Sequence, residues 1–270
     1  MDVEEELGRK YEDLKRFIRS MGRVAVTFSG GVDSTLLLKV SIDELGRENV
    51  LALTGTSPIH ARSEMDEAKE TAAALGARVV FFESTEMEDG NFLANARDRC
   101  YHCKSRLLAA VREIAGREGY SFVLEGSNAD DERDFRPGRR ACLESGVTSP
   151  LLDGGFTKGE IRTLSRTLGL ATRDKPSEAC LCSRIPYGTA ITARRLEEIE
   201  RSEAFVRSLG VSRVRVRHHG GTARIEAEEK DFPMILEHRD EIAAELMRIG
   251  FTYIALDLHG YRTGSMNEEE

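Results

Sequence analysis

Apolar and polar positions along the chain follow two alternating periods. Residues 4–21 have helical character, and Val24-Ala25-Val26-Thr27-Phe28 follows as a short apolar run of the kind that forms a buried strand. A glycine turn ends that run. Leu36, Leu37, Val40 and Ile42 then recur among polar residues over 35–45, as in a helix packed on a sheet. The succession repeats with an apolar run at 50–54 before a helix at 61–75. Another at 78–82 precedes a polar stretch and a helix at 101–117, and a third at 121–124 leads into a polar loop. Alternating strands and helices predict an α/β fold with a doubly wound, mainly parallel sheet. Ligands of such sheets sit beyond the carboxyl ends of the strands, so the loops after Phe28, Thr54 and Leu124 are expected to converge on one site.

The pattern changes after a helix at 158–168. Residues 172–192 hold Pro176, Pro186, Gly188, Cys180 and Cys182 among polar groups, the composition of a long functional loop or interdomain link. Helix 193–209, strand 213–218, a Gly220-Gly221 hairpin, strand 222–227, helix 232–248 and strand 251–257 follow. The predicted organisation is a nucleotide-binding domain over 1–175, a cysteine-containing linker loop over 176–192, and a small α/β substrate-binding domain over 193–270. That last unit is small enough for association to help stabilise it.

Composition narrows the functional classes. An apolar fraction of 40% in 270 residues suits a globular core, and a formal charge of −8 disfavours a large nucleic-acid footprint. A small anionic ligand in a local basic pocket remains compatible with it. There is no run of eighteen apolar residues, and MDVEEELGRK is acidic and polar where a signal peptide is basic and then apolar, so a cytoplasmic protein without a membrane partner is expected. Five cysteines without a secretory signal direct attention to metal or redox chemistry rather than to disulfides.

The sharpest motif is Phe28-Ser29-Gly30-Gly31-Val32-Asp33-Ser34. A turn from a buried strand into a helix collects backbone N–H groups where the helix dipole also favours an anion. Gly30 and Gly31 permit close approach to phosphate, Ser29 and Ser34 add hydroxyls, and Asp33 is placed to orient the loop or to help hold Mg²⁺. No lysine ends the turn and no GxGxxG is present, which excludes a Walker A loop and a dinucleotide fingerprint. An ordinary capped turn is the plain alternative.

This SGGVDS turn resembles the signature of the PP-loop ATP pyrophosphatases, in which the loop holds pyrophosphate while a carboxylate or carbonyl oxygen takes AMP. Three further stretches specify the resemblance: Asp98-Arg99-Cys100-Tyr101-His102-Cys103-Lys104; Val123-Leu124-Glu125-Gly126-Ser127-Asn128-Ala129-Asp130-Asp131, continued by Arg133-Asp134-Phe135-Arg136-Pro137-Gly138; and Lys175-Pro176-Ser177-Glu178-Ala179-Cys180-Leu181-Cys182-Ser183-Arg184-Ile185-Pro186-Tyr187-Gly188. Together they look like the LarE family of sulfur transferases, over nearly the whole chain to Asp257-Leu258-His259-Gly260-Tyr261-Arg262. The resemblance implies ATP-dependent adenylylation of pyridinium-3,5-dicarboxylate mononucleotide, sulfur replacing AMP, and a homo-oligomer. It places ATP at Ser29, Gly30, Gly31, Asp33, Ser34, Gly126 and Asp130, with Lys104 catalytic. Sulfide or another small donor supplies the sulfur.

The cysteines leave the sulfur source open. Some members of this family consume one cysteine, whose nearest counterpart here falls around Ala179 to Cys180. Other relatives hold a 4Fe-4S cluster on C-x-x-C plus one distant cysteine, which here means Cys100, Cys103 and Cys180, with Cys182 a spare candidate and Cys142 uninvolved. Structural zinc, a redox disulfide or buried thiols are the plainer readings of the same residues.

In the second unit, Arg213, Arg215 and Arg217 alternate with valines, so all three project from one strand face. They are either a phosphate receptor or a solvated sheet face. The resemblance favours Arg215 and Arg217, with Ser183 and Arg184, as ligands of the substrate phosphate. Glu203 falls inside the apolar stripe of its helix, either as a wet stripe edge or as a site residue that holds an arginine or acts as a base. Asp257 and Arg262 are implied at the same site. His218 and His219 adjoin the hairpin without a companion pair and read as surface histidines. The competing functions are a PP-loop amidotransferase, a tRNA thiolase and a non-catalytic nucleotide sensor. Ammonia transfer leaves the cysteine pairs unexplained, the acidic charge opposes RNA, and Asp33, Asp130 and Lys104 argue for catalysis.

Overall fold

The computed structural model describes residues 3–133 and 137–262; Asp134, Phe135 and Arg136 of the acidic-loop motif lie outside the described residues. In chain order the elements are α1 (Val3–Arg19), β1 (Val24–Thr27), α2 (Val32–Leu45), β2 (Val50–Thr56), α3 (Arg62–Leu75), β3 (Arg78–Glu83), α4 (Gly90–Leu93), α5 (Arg99–Arg117) and β4 (Phe122–Leu124). Then come α6 (Pro137–Ser145), α7 (Pro150–Asp153), α8 (Lys158–Thr167), α9 (Ala193–Ser208), β5 (Val214–His219), β6 (Thr222–Ala227), α10 (Phe232–Glu237), α11 (Arg239–Ile249) and β7 (Tyr253–Leu256). Two compact units result. The first runs to Ser57 and takes in Arg62–Asp89 and Arg97–Glu178; the second gathers Pro58–Ala61, Gly90–Ala96 and the chain from Ala179.

The sheet of the first unit has the order β3-β2-β1-β4, with every pair parallel. Its central strand is covered on both faces, which explains the unbroken apolar run. Val24 and Val26 pack with Leu36, Leu37 and Ile161 in one layer, and Ala25 packs with Leu51, Leu53 and Val111 in the other. Each fully buried leucine of these layers contributes roughly 1.5–3 kcal/mol. From β1 the chain runs outward to β2 and β3, then returns to β4 on the far side of β1. The reversal point therefore lies between β1 and β4, flanked by the turn after Thr27 and the loop after Leu124. Hydroxyls lock both strand ends in place: Thr27 donates to the Leu124 carbonyl at 3.0 Å and Thr54 to the Phe28 carbonyl at 2.7 Å.

The second unit has a three-stranded sheet, β5-β6-β7, antiparallel between β5 and β6 and parallel between β6 and β7. Val214, Val216, Ala223 and Ile225 pack against Val206, Ile242 and Leu246 of the helices. The predicted helix 232–248 is two helices, broken at His238, whose φ of −93° and ψ of 16° leave the helical region. The cysteine stretch is packed structure rather than free chain. Leu181 donates its N–H to the Ile59 carbonyl at 2.8 Å, and the Asn95 amide spans the Pro186 and Thr189 carbonyls at 2.8 and 2.9 Å. Asn95 is buried with φ of 57°, a left-handed conformation that asparagine tolerates better than most residues. No helix among the described residues is long and apolar enough to cross a membrane.

Candidate functional site

The glycine turn enters α2 without a side-chain cap at Gly31, so the first-turn N–H groups are not taken by a capping oxygen. Gly30 has φ of +69°, and a Cβ there would lie 2.8 Å from the Ala68 Cα, so both conformation and space demand glycine. Ser29 and Ser34 join their hydroxyls at 3.1 Å, and Ser34 Oγ donates to the Gly31 carbonyl at 3.3 Å. Gly126 brings the β4 loop onto the same helix end, for a Cβ there would meet Ser34 N at 3.1 Å. The reversal point of the sheet is thus a strand turn, a helix N-terminus and a second loop in direct contact, an arrangement suited to phosphate.

Two lysines bring to the turn the cation absent from it: Lys158, which motif reading passed over, and Lys175, which heads a quoted motif without a role assigned. Lys158, at the start of α8, bonds both Asp33 oxygens at 2.7 and 2.8 Å, and its backbone N–H donates to Asp130 Oδ2 at 2.7 Å. Lys175 Nζ lies 3.4 Å from the Gly30 carbonyl and 2.6 Å from Glu67. Asn128 connects the acidic loop to the turn, with its amide 3.4 Å from Asp33 Oδ2 and its carbonyl accepting from Asp130 N–H at 3.0 Å. Burial pushes the Asp33 carboxyl above its ordinary value even though Lys158 pulls the other way. A carboxylate held there favours further positive charge, as a magnesium ion would provide. No signal at position 158 marks it in the sequence, since a lysine opening a helix 125 residues downstream of Asp33 is unremarkable until the fold joins them.

Lys104, on α5, pairs with the buried Glu125 at 2.9 Å. Burial opposes the charge, but Glu125 and the neighbouring Cys142 thiol hold the ammonium up to about 12. The carboxylate also accepts Ser127 Oγ at 2.9 Å and the Ser149 hydroxyl, and its proton affinity is lowered despite burial. Cys142 is buried beside this pair, where desolvation raises the thiol.

Cysteine exposure divides the five. Cys100 is exposed and Cys103 and Cys180 are half-buried, whereas Cys142 and Cys182 are buried. The three cysteines that are not buried are the three named above as expected cluster ligands, and thiolates are the donor type such a cluster takes. Cys100 and Cys103, one helical turn apart on α5, belong to the first unit and Cys180 to the second. Within neither unit do three His, Cys, Asp or Glu side chains of the described residues gather as a metal-holding set.

Arg184, Arg215 and Arg217 are buried rather than on the solvated face considered above, whereas Arg213 is exposed. Glu203 is fully buried, which overturns the wet stripe edge. Its Oε1 accepts Arg184 Nε at 2.9 Å and Val216 N–H at 3.0 Å, and its Oε2 accepts Arg184 Nη2 at 3.1 Å and Arg207 at 2.7 Å. Each carboxylate oxygen thus accepts two donors. Arg184 Nη1 reaches the Ala179 carbonyl, the Cys180 carbonyl at 3.2 Å and Ser183 Oγ at 3.0 Å. Arg217 joins the Ser183 carbonyl at 2.8 Å to Glu226 at 2.7 Å. Both arginines therefore clamp the Cys180–Ser183 turn. Arg224 lies 3.7 Å from Asp257, and Asp257 4.0 Å from Arg262. His218 is not at the surface: it is buried against Phe251, with Nε2 3.0 Å from Glu198.

No family model matches the chain. It is 39% identical to an uncharacterized protein of Synechocystis sp., over 97% of this chain and 98% of the relative. It is 37% identical to the pyridinium-3,5-bisthiocarboxylic acid mononucleotide synthase of Lactiplantibacillus plantarum, over 97% of this chain and 95% of that protein. The NH(3)-dependent NAD(+) synthetase of Chlorobaculum tepidum is 27% identical over 63% of this chain and 61% of its own length.

Proposed function

The chain belongs to the family of the pyridinium-3,5-bisthiocarboxylic acid mononucleotide synthases, the LarE family of PP-loop enzymes, and on that premise we propose that it is an ATP-dependent sulfur transferase acting on pyridinium-3,5-dicarboxylate mononucleotide in nickel-pincer nucleotide synthesis. The observation that carries this reading is the uncapped α2 N-terminus, framed by Gly30 and Gly126 and faced by Lys158 on Asp33.

A substrate carboxylate oxygen attacks the α-phosphorus of ATP, and the bond from that phosphorus to the β-bridging oxygen breaks. Pyrophosphate leaves into the turn, where α2 N–H groups and the hydroxyls of Ser29 and Ser34 take its charge. Asp33 and Asp130 would hold Mg²⁺, which when bound would neutralise the phosphates, and Lys158 shifts its ammonium from Asp33 to the departing pyrophosphate. Lys104, kept cationic by Glu125, stabilises charge on the reacting carboxylate. Hydrosulfide then attacks the acyl carbon, AMP leaves, and a thiocarboxylate remains.

Arg215 and Arg217 receive the substrate phosphate, while Glu203 and Arg184 act by position, fixing the Cys180–Ser183 turn. Cys100, Cys103 and Cys180 would hold a 4Fe-4S cluster, which when bound would carry hydrosulfide for delivery. The proposed enzyme works in the cytoplasm as a homo-oligomer. Anaerobic turnover with the dicarboxylate nucleotide, ATP and sulfide tests the reading by mass spectrometry of protein and product. AMP, pyrophosphate and a thiocarboxylate are expected with the protein mass unchanged. Loss of the mass of H₂S from Cys180 transfers the sulfur source to the cysteine itself, and absence of AMP overturns the function.

A further inference from the structure

The arginines around the β5–β6 sheet of the second unit are not neutralised alike. Arg184 and Arg207 face Glu203, and Arg217 and Arg224 face Glu226. Arg215 is only 7% exposed, yet among the described residues it makes no ion pair with a carboxylate. Its guanidinium instead lies 4.6 Å from the centroid of the Tyr261 ring, and Arg213 lies 5.1 Å from the same ring. Burying a guanidinium without counter-charge is costly. Burial indeed lowers the proton affinity of Arg215, Tyr261 opposes that effect, the neighbouring Arg184 and Arg217 add to it, and the more weakly acting Glu203 also opposes it.

We infer that Tyr261 is a positioning residue for anion binding, its ring replacing the carboxylate that each neighbouring arginine has and leaving the Arg215 N–H donors for the substrate phosphate. A carboxylate counter-ion occupies the guanidinium fork with two hydrogen bonds. An aromatic face attracts the cation through its quadrupole and takes no such pair of donors. The ring is held where this requires, because the Tyr261 N–H donates to the Ala227 carbonyl of β6 at 2.8 Å, while Arg215 stands on the adjacent strand β5, opposite Glu226. The inference rests on the reading of Arg215 as a phosphate ligand.

The test compares Tyr261→Phe and Tyr261→Leu in the full chain. Inorganic phosphate is the probe, read by calorimetric titration, alongside ATP affinity and the KM and kcat for the mononucleotide. Tyr261→Phe keeps the ring and is expected to bind phosphate as the wild type does. Tyr261→Leu is expected to weaken phosphate binding and raise KM about tenfold, with kcat and ATP affinity held. If Tyr261→Leu does not fold, Tyr261→Met retains apolar bulk without a ring and carries the same expectation. Unchanged phosphate binding in the Leu or Met variant overturns the inference, as does a Phe variant that fails as badly as Leu. The phosphate titration uses neither ATP nor sulfur, so a failure of the sulfur-transfer reading leaves its outcome legible. Wild-type sulfur transfer with an unimpaired Leu variant defeats this inference alone.

Discussion

Arg184 and Glu203 form a two-point ion pair in the interior of the second unit, Nε to Oε1 at 2.9 Å and Nη2 to Oε2 at 3.1 Å. The same guanidinium grips the carbonyl of Cys180, so one carboxylate fixes the direction of a cysteine-bearing turn through an intermediate arginine. Removing Glu203 leaves Arg184 buried without its counter-charge. Glu203→Ala is expected to destabilise the protein by about 3–5 kcal/mol in urea unfolding. Activity should fall with stability; a Glu203→Gln protein of wild-type stability with no turnover would instead make Glu203 a base.

Lys158 and Asp33 offer a second test. Lys158→Met should reduce pyrophosphate release from ATP about a hundredfold, the usual consequence of removing one charge-stabilising group. AMP affinity should be nearly unchanged, because AMP lacks the phosphates that the ammonium follows. Equal losses for ATP and AMP, measured by titration calorimetry, would mean that Lys158 only supports the fold.

Gly126 tests the meeting of the two loops. Its missing Cβ would stand 3.1 Å from Ser34 N, so Gly126→Ala must push the β4 loop away from the α2 N-terminus. Weaker ATP binding with an intact circular dichroism spectrum is the expected result. Unaltered ATP affinity would show that the contact is packing alone.

The Lys104–Glu125 pair predicts a pH dependence. The Glu125 carboxyl lies below its ordinary value in the folded protein, so the stabilisation is present above that ordinary value and is lost as pH falls through the lowered one. Lys104 is raised to about 12, so its share is complete below its ordinary value and disappears only as pH rises towards 12. Thermal unfolding from pH 7 into acid should therefore show a limb that flattens in Glu125→Gln. An unchanged limb would assign acid sensitivity to other carboxylates.

Single serine replacements sort the cysteines. Cys100→Ser, Cys103→Ser and Cys180→Ser should each lower the iron content and the broad visible absorption of anaerobically prepared protein, while Cys142→Ser should not. Iron that survives the Cys180 change but not the Cys182 change would exchange those two roles.

Strand and helix positions in the first unit were legible because parallel strands buried on both faces must be apolar throughout and the helices beside them striped. The glycine turn was legible because a left-handed turn against another backbone admits little besides glycine. Helix α6 escaped, since its short segment has no strong stripe, and the break at His238 escaped because the apolar positions on either side keep one helical rhythm. The expected surface position of His218 failed for a related reason, as nothing in two adjacent histidines reveals that Phe251 covers one of them.

By itself the sequence determined the class of fold, the glycine turn and the set of cysteines and arginines available for chemistry. Tertiary structure alone decided how those charges are spent, because ion pairing depends on through-space distance and burial, which spacing along a chain does not encode. Lys158 reaches Asp33 across 125 residues, Glu203 takes Arg184 across 19, and Arg215 has an aromatic ring where its neighbours have carboxylates. A buried charge must find a partner in whatever element packs beside it, and only the packed fold says which element that is.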